Sequence, residues 1–538
     1  MTDLRADVVI VGSGVAGALI AAKLAQQGVK VIVLEAGPRI DRVEAVERFF
    51  SAPVKVPECA YPQGPEIPHP VTNKLDGWFR QTGPDFFKST YIKAVGGTTW
   101  HWLGTCLRLL PADFVMRSRY GRAADWPISY DQLEPFYGQA EQEIGVAGDS
   151  NEALGAPRSR PYPMPPIPPT YLDKGFAAAL VGTEFQVRST PQGRNSTMRD
   201  DRPACCGNSS CIPVCPVQAK YDATVHVARA EQSGAVIVDK ANAVAVVLGA
   251  DQTVDHIAFK RWDLSEGRVF GRVFVLAAHA IETPRLLLAS ASEKAPHGVA
   301  NGSDQVGRNL MDHPTQLSWA LAKDPLYPYR GPLSTSGIEN LRDGAFRKDR
   351  GAFRIEIGND GWLWAEAAPV STAAALAKKG LSGKALDTAL TDQLSRQIRL
   401  ASLVEELPDP ANRITLDPVA RDMYGVPGPQ IAYRTSDYVK NGLAEARAAH
   451  TKIFGRLSAT MIQHTPEPEG AGHILGTAVM GADPARSVVD PELRCHQHKN
   501  LFIAGSAVFP TGGTANPTLT IAALSLRLAD TIAVQLKR

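Results

Sequence analysis

The stretch VVIVGSGVAGALIAAKLAQQGVKVIVLEAG, Val8 to Gly37, decides the fold. A strand-like run from Asp7 to Val11 ends in glycines, an alanine-rich segment from Ala16 to Gln27 follows, and a second branched run, Val29 to Glu35, closes the unit. Buried parallel strands read as continuous Val/Ile runs and the helix packed on them carries small residues, so the pattern predicts strand, helix, strand. Gly12, Gly14 and Gly17 fall at the turn between the first two. In that context the first glycine permits the tight turn, the second lets backbone approach a pyrophosphate, and the third allows close helix packing. The helix N-terminus attracts the anion. Glu35 is placed to accept hydrogen bonds from a ribose diol and to repel a 2′-phosphate. The unit predicts dinucleotide binding, and the plain alternative is a glycine-rich structural turn.

Outward from this unit, 538 residues with 44% hydrophobic and 21% charged content are ordinary globular material in more than one structural unit. With 57 basic against 55 acidic residues and no Lys/Arg run, nothing suggests a nucleic-acid footprint. The chain passes from Met1 straight into a strand-like run without the parts of a signal peptide, which by itself predicts a cytoplasmic protein. The longest apolar runs, such as Val273 to Ala278, fall well short of the about 20 residues that span a bilayer. Val54 to Pro84 and the proline-dense Arg160 to Tyr171 read as surface excursions, the second as an extended connector.

Ala235 to Gly249 and Gly271 to Ala278 restore the strand pattern, and a helix is predicted to open at Thr283 with Pro284 in its first turn. A helical stretch, Thr372 to Ala401, precedes the strand-like NRITL. These patterns give an α/β class with a separate substrate-covering domain; the fold expected, with the resemblance described below, is a Rossmann-like FAD-binding domain with an interleaved α+β substrate-binding domain carrying an antiparallel sheet. The expected division is residues 1–159 and 235–315 for the cofactor domain, 160–234 for a connector and cysteine-rich loop, 316–468 for the substrate domain, and 469–538 for a cofactor-domain return carrying the catalytic pair. FAD rather than NAD is indicated because the glycine turn lies at the N-terminus while NLFIAGSAVFP resembles the strand that returns to the flavin in FAD folds. Gly505 and Ser506 stand where such flavoproteins commonly carry Asp, which leaves that contact to backbone N–H groups.

Four of the seven cysteines crowd into CCGNSSCIPVCP, Cys205 to Pro216. Disulfides, zinc and an iron–sulfur cluster compete for them. Adjacent Cys205 and Cys206 do not readily bridge each other, and the paired knuckles usual for structural zinc are missing. A glycine, small polar residues and a terminal Cys-Pro suit thiolates folded around one iron–sulfur centre. Cys59, Cys106 and Cys495 read as small buried hydrophobes.

AVGGTTWHWLGTCLR (Ala94 to Arg108), DWPISYDQLEPFY (Asp125 to Tyr137), AAHAIETPRLLLAS, VGRNLMDHP (Val306 to Pro314), HILGTAVMG and TANPTLTIAALSLR follow one another as in the glucose–methanol–choline (GMC) oxidoreductases, which the chain resembles from Val8 to Asp530. The resemblance implies cofactor contacts from Gly96, Gly97, Thr98, Trp100 and His101, with Val244 and Ser506 added from the later strands. The cysteine run is similar to that of the catalytic subunits of bacterial FAD-dependent glucose, fructose and sorbitol dehydrogenases. That likeness implies a three-iron cluster held by Cys205, Cys211 and Cys215, rather than a four-iron one, with Cys206 left over to pair with another chain. It also implies a small subunit bearing an export signal, a multihaem cytochrome c as electron acceptor, membrane association only through that partner, and a periplasmic location that overrides the cytoplasmic default.

Oxidising a sugar or polyol hydroxyl removes a proton from oxygen and a hydride from carbon, the hydride leaving for flavin N5. A base must take the proton, and histidine, with a reference pKa of about 6.5, suits the task. The family's catalytic segment matches at His473, Gly476, Thr477, Met480 and Gly481, which nominates His473 as base. Asn516 in TANPTLT is nominated to fix the substrate oxygen. His101, His279 and His313 read as structural or flavin-neighbouring. Glu406 and, more weakly, Asn359 are substrate candidates, while Trp362 reads as core. The rival enzyme is a GMC-type oxidase that reduces O₂ and keeps its cysteines for structure; the rival class is an electron-transfer flavoprotein with no substrate of its own.

Overall fold

The computed structural model describes residues 2–52, 57–61, 79–89 and 91–537. The opening stretch folds as strand Val8–Val11, helix Val15–Ala25 and strand Val31–Leu34. The strands are parallel, Val8 opposite Val31 through Val11 opposite Leu34, and both are buried throughout. The helix is buried nearly all round because helices Thr224–Gln232 and Thr518–Lys537 cover what the sheet does not. Three more parallel strands complete a five-stranded sheet in the order Leu501–Ile503, Val273–Leu276, Val8–Val11, Val31–Leu34, Val236–Val238. Layers on both faces explain why each strand is an unbroken apolar run.

The glycine turn is a close approach of three backbones. Gly12 has φ +100°, and a Cβ there would lie 2.4 Å from the Ala277 carbonyl oxygen. A Cβ on Gly17 would lie 1.9 Å from the Gly12 carbonyl oxygen. Any side chain at either position separates the turn from the strand or the helix that backs it.

Several segments depart from the sequence reading. Ala235 to Gly249 is not one strand: it breaks at Lys240, whose φ is +52°. Val236–Val238 stays in the parallel sheet, while Ala241–Leu248 enters a four-stranded sheet with Val254–Arg261, Glu266–Phe270 and Thr2–Arg5. The helix expected to open at Thr283 begins at His279 and runs to Ala289, with Pro284 inside it. Proline offers no N–H to the Ala280 carbonyl four residues back, and Thr477 Oγ1 donates to that carbonyl instead at 2.5 Å. Thr372 to Ala401 comprises helices from Val370–Lys378 and Gly383–Arg396, after which Gln397–Val404 is a central strand paired on both sides. Pairing with two neighbours outweighs whatever helical preference IRLASLV has. Of the Val54 to Pro84 excursion, residues 54–56 and 62–78 lie outside the described residues.

The second domain is the expected antiparallel sheet. Its six strands run in the order Thr460–His464, Thr315–Leu321, Gln397–Val404, Phe353–Gly358, Ser336–Ile338, Val187–Ser189. The last comes from the segment expected to be connector and cysteine-rich loop, and Arg160 to Thr170 is extended up to the helix Tyr171–Ala179. Ile355, Ile357, Ile398 and Leu400 pack one face of the sheet on helix Asp437–Arg456. Alternation then turns Arg354, Glu356, Arg399, Ala401 and Leu403 to the other face.

Among the described residues, Thr518–Lys537 is the one helix long and apolar enough, by length and composition, to cross a membrane, and the sequence reading passed over it. Its Leu519, Ala522, Ala523, Leu526 and Ala529 are buried in the cofactor domain, where it packs on helices Val15–Ala25 and Tyr130–Ile144.

A buried ion triad joins the domains. Arg347 donates to Asp113 Oδ1 at 2.7 Å and to both oxygens of Glu405, and none of the three side chains is more than 1% exposed. Replacing Arg347 by Met leaves two carboxylates buried without their cation, so Arg347→Met is expected to lower stability by about 3–5 kcal/mol. Urea unfolding followed by release of bound FAD measures it. A loss below about 1 kcal/mol, the range of exposed pairs, would show that water reaches the triad.

Candidate active site

A cavity of about 420 Å³ runs from the glycine turn to the polar face of the antiparallel sheet. At its first end lie Gly12, Gly14, Glu35, Gly97, Thr98, His101 and Ser506. Gly14 caps the helix Val15–Ala25, with open space where a side chain would stand. Glu35 accepts from Ser13 N (3.0 Å), Ser13 Oγ (2.7 Å) and Gly37 N (2.9 Å), which ties the second strand to the turn while the carboxylate lines the cavity. Burial pushes its pKa up, against the pull of those N–H and O–H donors. His101 is held neutral by burial, its pKa lowered to about 3, and its Nδ1 is buried without a hydrogen-bond partner. An unpartnered polar atom against a cavity, beside a glycine turn open at a helix N-terminus, is what a bound dinucleotide would complete. These residues fit FAD.

Three expected contacts fall elsewhere. Gly96 lies outside the lining; its φ of +97° turns the loop, and its N–H donates to Ser13 Oγ at 3.2 Å. Trp100 points away from the cavity: its indole N–H donates to the Val95 carbonyl at 2.8 Å and the Arg42 guanidinium sits 4.4 Å above its ring, so Trp102 lines the wall in its place. Val244 is outside because the strand reaches the cavity with Ala241, Asn242 and Ala243, and a register irregularity follows Ala243. Gly17 is also behind the wall, in the packing role expected of it.

At the other end His473 and Asn516 meet. Asn516 Nδ2 lies 3.1 Å from His473 Nε2, and both residues line the cavity. His473 Nδ1 lies 2.8 Å from His313 Nδ1, with the rings nearly perpendicular. His313 Nε2 lies 2.9 Å from the Gly513 carbonyl oxygen, which can only accept. The network therefore assigns the protons: His313 carries its proton on Nε2, its Nδ1 accepts from His473 Nδ1–H, and His473 Nε2 is left with a lone pair that the Asn516 amide meets. Asn516 Oδ1 is buried with no partner. Burial, then His313 and Arg354, hold the His473 pKa well below the usual imidazole value. The residue is a neutral base.

The loop carrying His473 is fastened by Asp312, whose carboxylate accepts from Ala471 N (3.1 Å), His473 N (2.8 Å) and the Ser89 hydroxyl. Glu406 stands behind this, not in the cavity: it accepts from Asp312 N at 2.7 Å and Tyr433 OH at 2.8 Å. Burial raises its pKa to about 8. Asn359 is likewise outside, its amide spent on the Arg330 and Pro332 carbonyls. Trp362 is core, as expected. The carboxylate that does line the substrate end is Glu356, braced by Arg354 and Arg399 at 3.5 Å each. The alternation in FRIEIG, charged residues between apolar ones, was the signal for it. His313 was in view but its part as orienter was missed, since only the fold brings it to His473.

The cysteine loop abuts this cavity, Ile212 forming part of the wall. Cys211 is buried, Cys205 and Cys215 are half-buried, Cys206 is exposed, and no disulfide joins the described cysteines. The thiol of Cys205 feels both Cys211 and Cys215, and each sulfur accepts an N–H: Gly207 N at 3.4 Å to Cys205, Arg194 Nη2 at 3.3 Å to Cys211, Lys220 N at 3.5 Å to Cys215. No group of three or more Cys, His, Asp or Glu among the described residues is already gathered as a metal site. Three neighbouring sulfurs with N–H donors suit a sulfide-containing cluster better than a bare ion. Cys106 and Cys495 are buried, and burial pushes both thiols up. A wider surface groove, lined by Arg272, Arg494, Lys499 and Arg527, holds neither His473 nor Asn516.

Comparison with known proteins fits this geometry. Residues 184–315 and 408–525 match the two GMC oxidoreductase family models, and residues 10–46 match an NAD(P)-binding Rossmann-like domain. The fructose dehydrogenase large subunit of Gluconobacter japonicus is 40% identical over 545 residues, covering 99% of each chain. The 2-methyl-1,2-propanediol dehydrogenase of Mycolicibacterium austroafricanum is 27% identical, over 98% of this chain and 95% of that one. Formate oxidase of Aspergillus oryzae RIB40 superposes with a TM-score of 0.65 over 99% of both chains at 16% identity, a likeness of fold. Cofactor turn, histidine–asparagine pair and full-length similarity agree: the chain belongs to the GMC oxidoreductase family and is an FAD-dependent dehydrogenase acting on CH–OH donors.

Proposed function

We propose that this chain is the flavoprotein subunit of a dehydrogenase that oxidises a hydroxyl of a sugar or polyol, fructose being the first candidate. Cys205, Cys211 and Cys215 would hold an iron–sulfur cluster, which would supply a one-electron relay toward a multihaem cytochrome c. On this reading a small export-signal-bearing subunit carries the chain to the periplasmic side of the membrane, and the exposed Cys206 is available to pair with it. The observation that carries the reading is the unprotonated His473 Nε2, 3.1 Å from the Asn516 amide, in the wall of the cavity that the glycine turn also lines. The similarity to a fructose dehydrogenase large subunit supports the choice of substrate and the expectation of partners.

The chain's own part in the reaction follows from the hydrogen bonds. A substrate hydroxyl between His473 and Asn516 donates its proton to Nε2, while the Asn516 amide fixes the oxygen. FAD, when bound, supplies the acceptor for the hydride leaving carbon. The imidazolium so formed keeps its Nδ1–H on His313, whose neutral ring is held by Gly513. Glu356 offers a fixed carboxylate to the remaining hydroxyls.

Anaerobic mixing with fructose, sorbitol, glucose and gluconate tests the substrate class. Fructose is expected to bleach the flavin fastest, with little hydrogen peroxide in air and iron present by elemental analysis. Stoichiometric peroxide without iron would replace this reading by the oxidase, and no bleaching by any of the four would remove a sugar or polyol substrate.

His473 is neutral to well below its ordinary pKa, so the rate constant for flavin reduction is expected to stay level from pH 8 down through 6.5 and to fall only at lower pH, as the base takes a proton from solvent. His473→Ala should abolish that acid limb and slow reduction by about 10²–10⁴-fold, the share of a general base. An acid limb centred above 6.5 would contradict the buried neutral base. Glu356→Gln should raise KM about tenfold, the loss of one charged hydrogen bond, with kcat nearly kept; an unchanged KM would remove Glu356 from substrate recognition.

A further inference from the structure

Arg194 and Lys220 are each 1% exposed. A cation so deep is strongly unfavourable unless an anion faces it, and other buried arginines obey: Arg347 meets Asp113 and Glu405, Arg354 meets Glu339, Arg399 meets Asp360. Arg194 and Lys220 have no such partner among the described residues. Arg194 Nη2 donates to the Leu103 carbonyl at 3.0 Å and to Cys211 Sγ at 3.3 Å, and its Nη1 is buried with no partner. Lys220 Nζ donates to the Trp100 and Trp102 carbonyls at 2.9 and 2.6 Å, and its backbone N–H to Cys215 Sγ at 3.5 Å. Asp222, the carboxylate that acts on Lys220, is itself paired with Arg42 at 2.6 Å. What the two cations face in common is sulfur: Cys211 and Cys215 act on Lys220, and Arg194 acts on Cys205.

Neutral thiols would leave two buried positive charges uncompensated. We propose that Arg194 and Lys220 are the built-in counter-charge of an anionic, thiolate-ligated centre at Cys205, Cys211 and Cys215, and that they set its reduction potential. The proposal deepens the iron–sulfur reading of this loop and rests on it. An electron entering such a centre from the reduced flavin adds one negative charge and no proton, so fixed cations at the sulfurs favour the reduced form. Leu103 and Ile212 both line the cavity, so Arg194 spans the wall between the cofactor space and the sulfur of Cys211.

The test is a potentiometric titration followed by EPR, with iron and acid-labile sulfide counted per FAD, on the intact protein purified anaerobically with its co-purifying subunits. Wild type is compared with Arg194→Gln, Lys220→Gln and Arg194→Lys. Each glutamine variant is expected to shift the oxidised-to-reduced ratio of the cluster at least tenfold toward oxidised, which is about 59 mV for a one-electron couple; Arg194→Lys, which keeps the charge, should stay near wild type. Unchanged potentials in both glutamine variants with iron intact would overturn the proposal and leave the cluster reading standing. A wild-type protein without iron or sulfide would defeat that reading itself. Should the Arg194→Gln protein lose iron, retention by Arg194→Lys supports counter-charge, and loss in both counts against it.

Discussion

The hydrogen bond between the Nδ1 atoms of His313 and His473 is the constraint around which the candidate site is arranged. Two imidazoles can share such a bond only if one gives a proton and the other a lone pair, and the Gly513 carbonyl decides which. That choice passes through both rings and leaves His473 Nε2 unprotonated toward the cavity. Three segments far apart in sequence, carrying 313, 473, and 513 with 516, must therefore arrive together. Asp312, next to His313, holds the backbone at Ala471 and His473, and Glu406 holds Asp312. A buried polar network of this kind specifies one geometry because any missing member strands its neighbours without partners.

The two sheets divide what this network needs. In the parallel sheet both faces are covered and the useful element is the strand end, where the glycine turn presents backbone to a cofactor. In the antiparallel sheet one face is spent on the helix Asp437–Arg456 and the other is free to carry Arg354, Glu356 and Arg399 toward the cavity. The domains are locked by the Arg347 triad at one point. Arg342 ties the tail at another, donating to Thr514 Oγ1 at 2.9 Å, two residues before Asn516. The asparagine is thus held from the substrate domain although it belongs to the cofactor domain.

The glycine turn was legible because its signal is local: period, spacing and residue size all lie within Val8 to Gly37. The antiparallel domain and the pairing of His473 with Asn516 were legible through family likeness, not through periodicity. What escaped was direction. Trp100 and Trp102 are two residues apart in a tight turn, and sequence does not say which faces the cofactor space. Glu405 and Glu406 follow the strand Gln397–Val404, where alternation no longer fixes the face; one went to an ion triad and the other behind His473. Glu356 sits inside a strand, where alternation does fix it, and the pattern was there to be read. Lys240 and Pro284 show the remaining limit, since a single left-handed residue or a distant Thr477 hydroxyl redraws an element that local propensity defines poorly.

Charge is distributed unequally about the cavity. The base lies where burial and Arg354 both oppose a positive imidazole, so a proton taken from substrate raises the energy of His473 unless something offsets it. The lone pair of His313 is that offset: an imidazolium donates a stronger Nδ1–H bond than a neutral ring does. Because His313 is itself buried and held neutral, with its other nitrogen committed to Gly513, the proton taken from substrate stays on His473 instead of being passed along the pair. The base keeps its orientation only while the pair is intact, which is why His313, from the segment Val306 to Pro314, matters as much to the geometry as His473 itself.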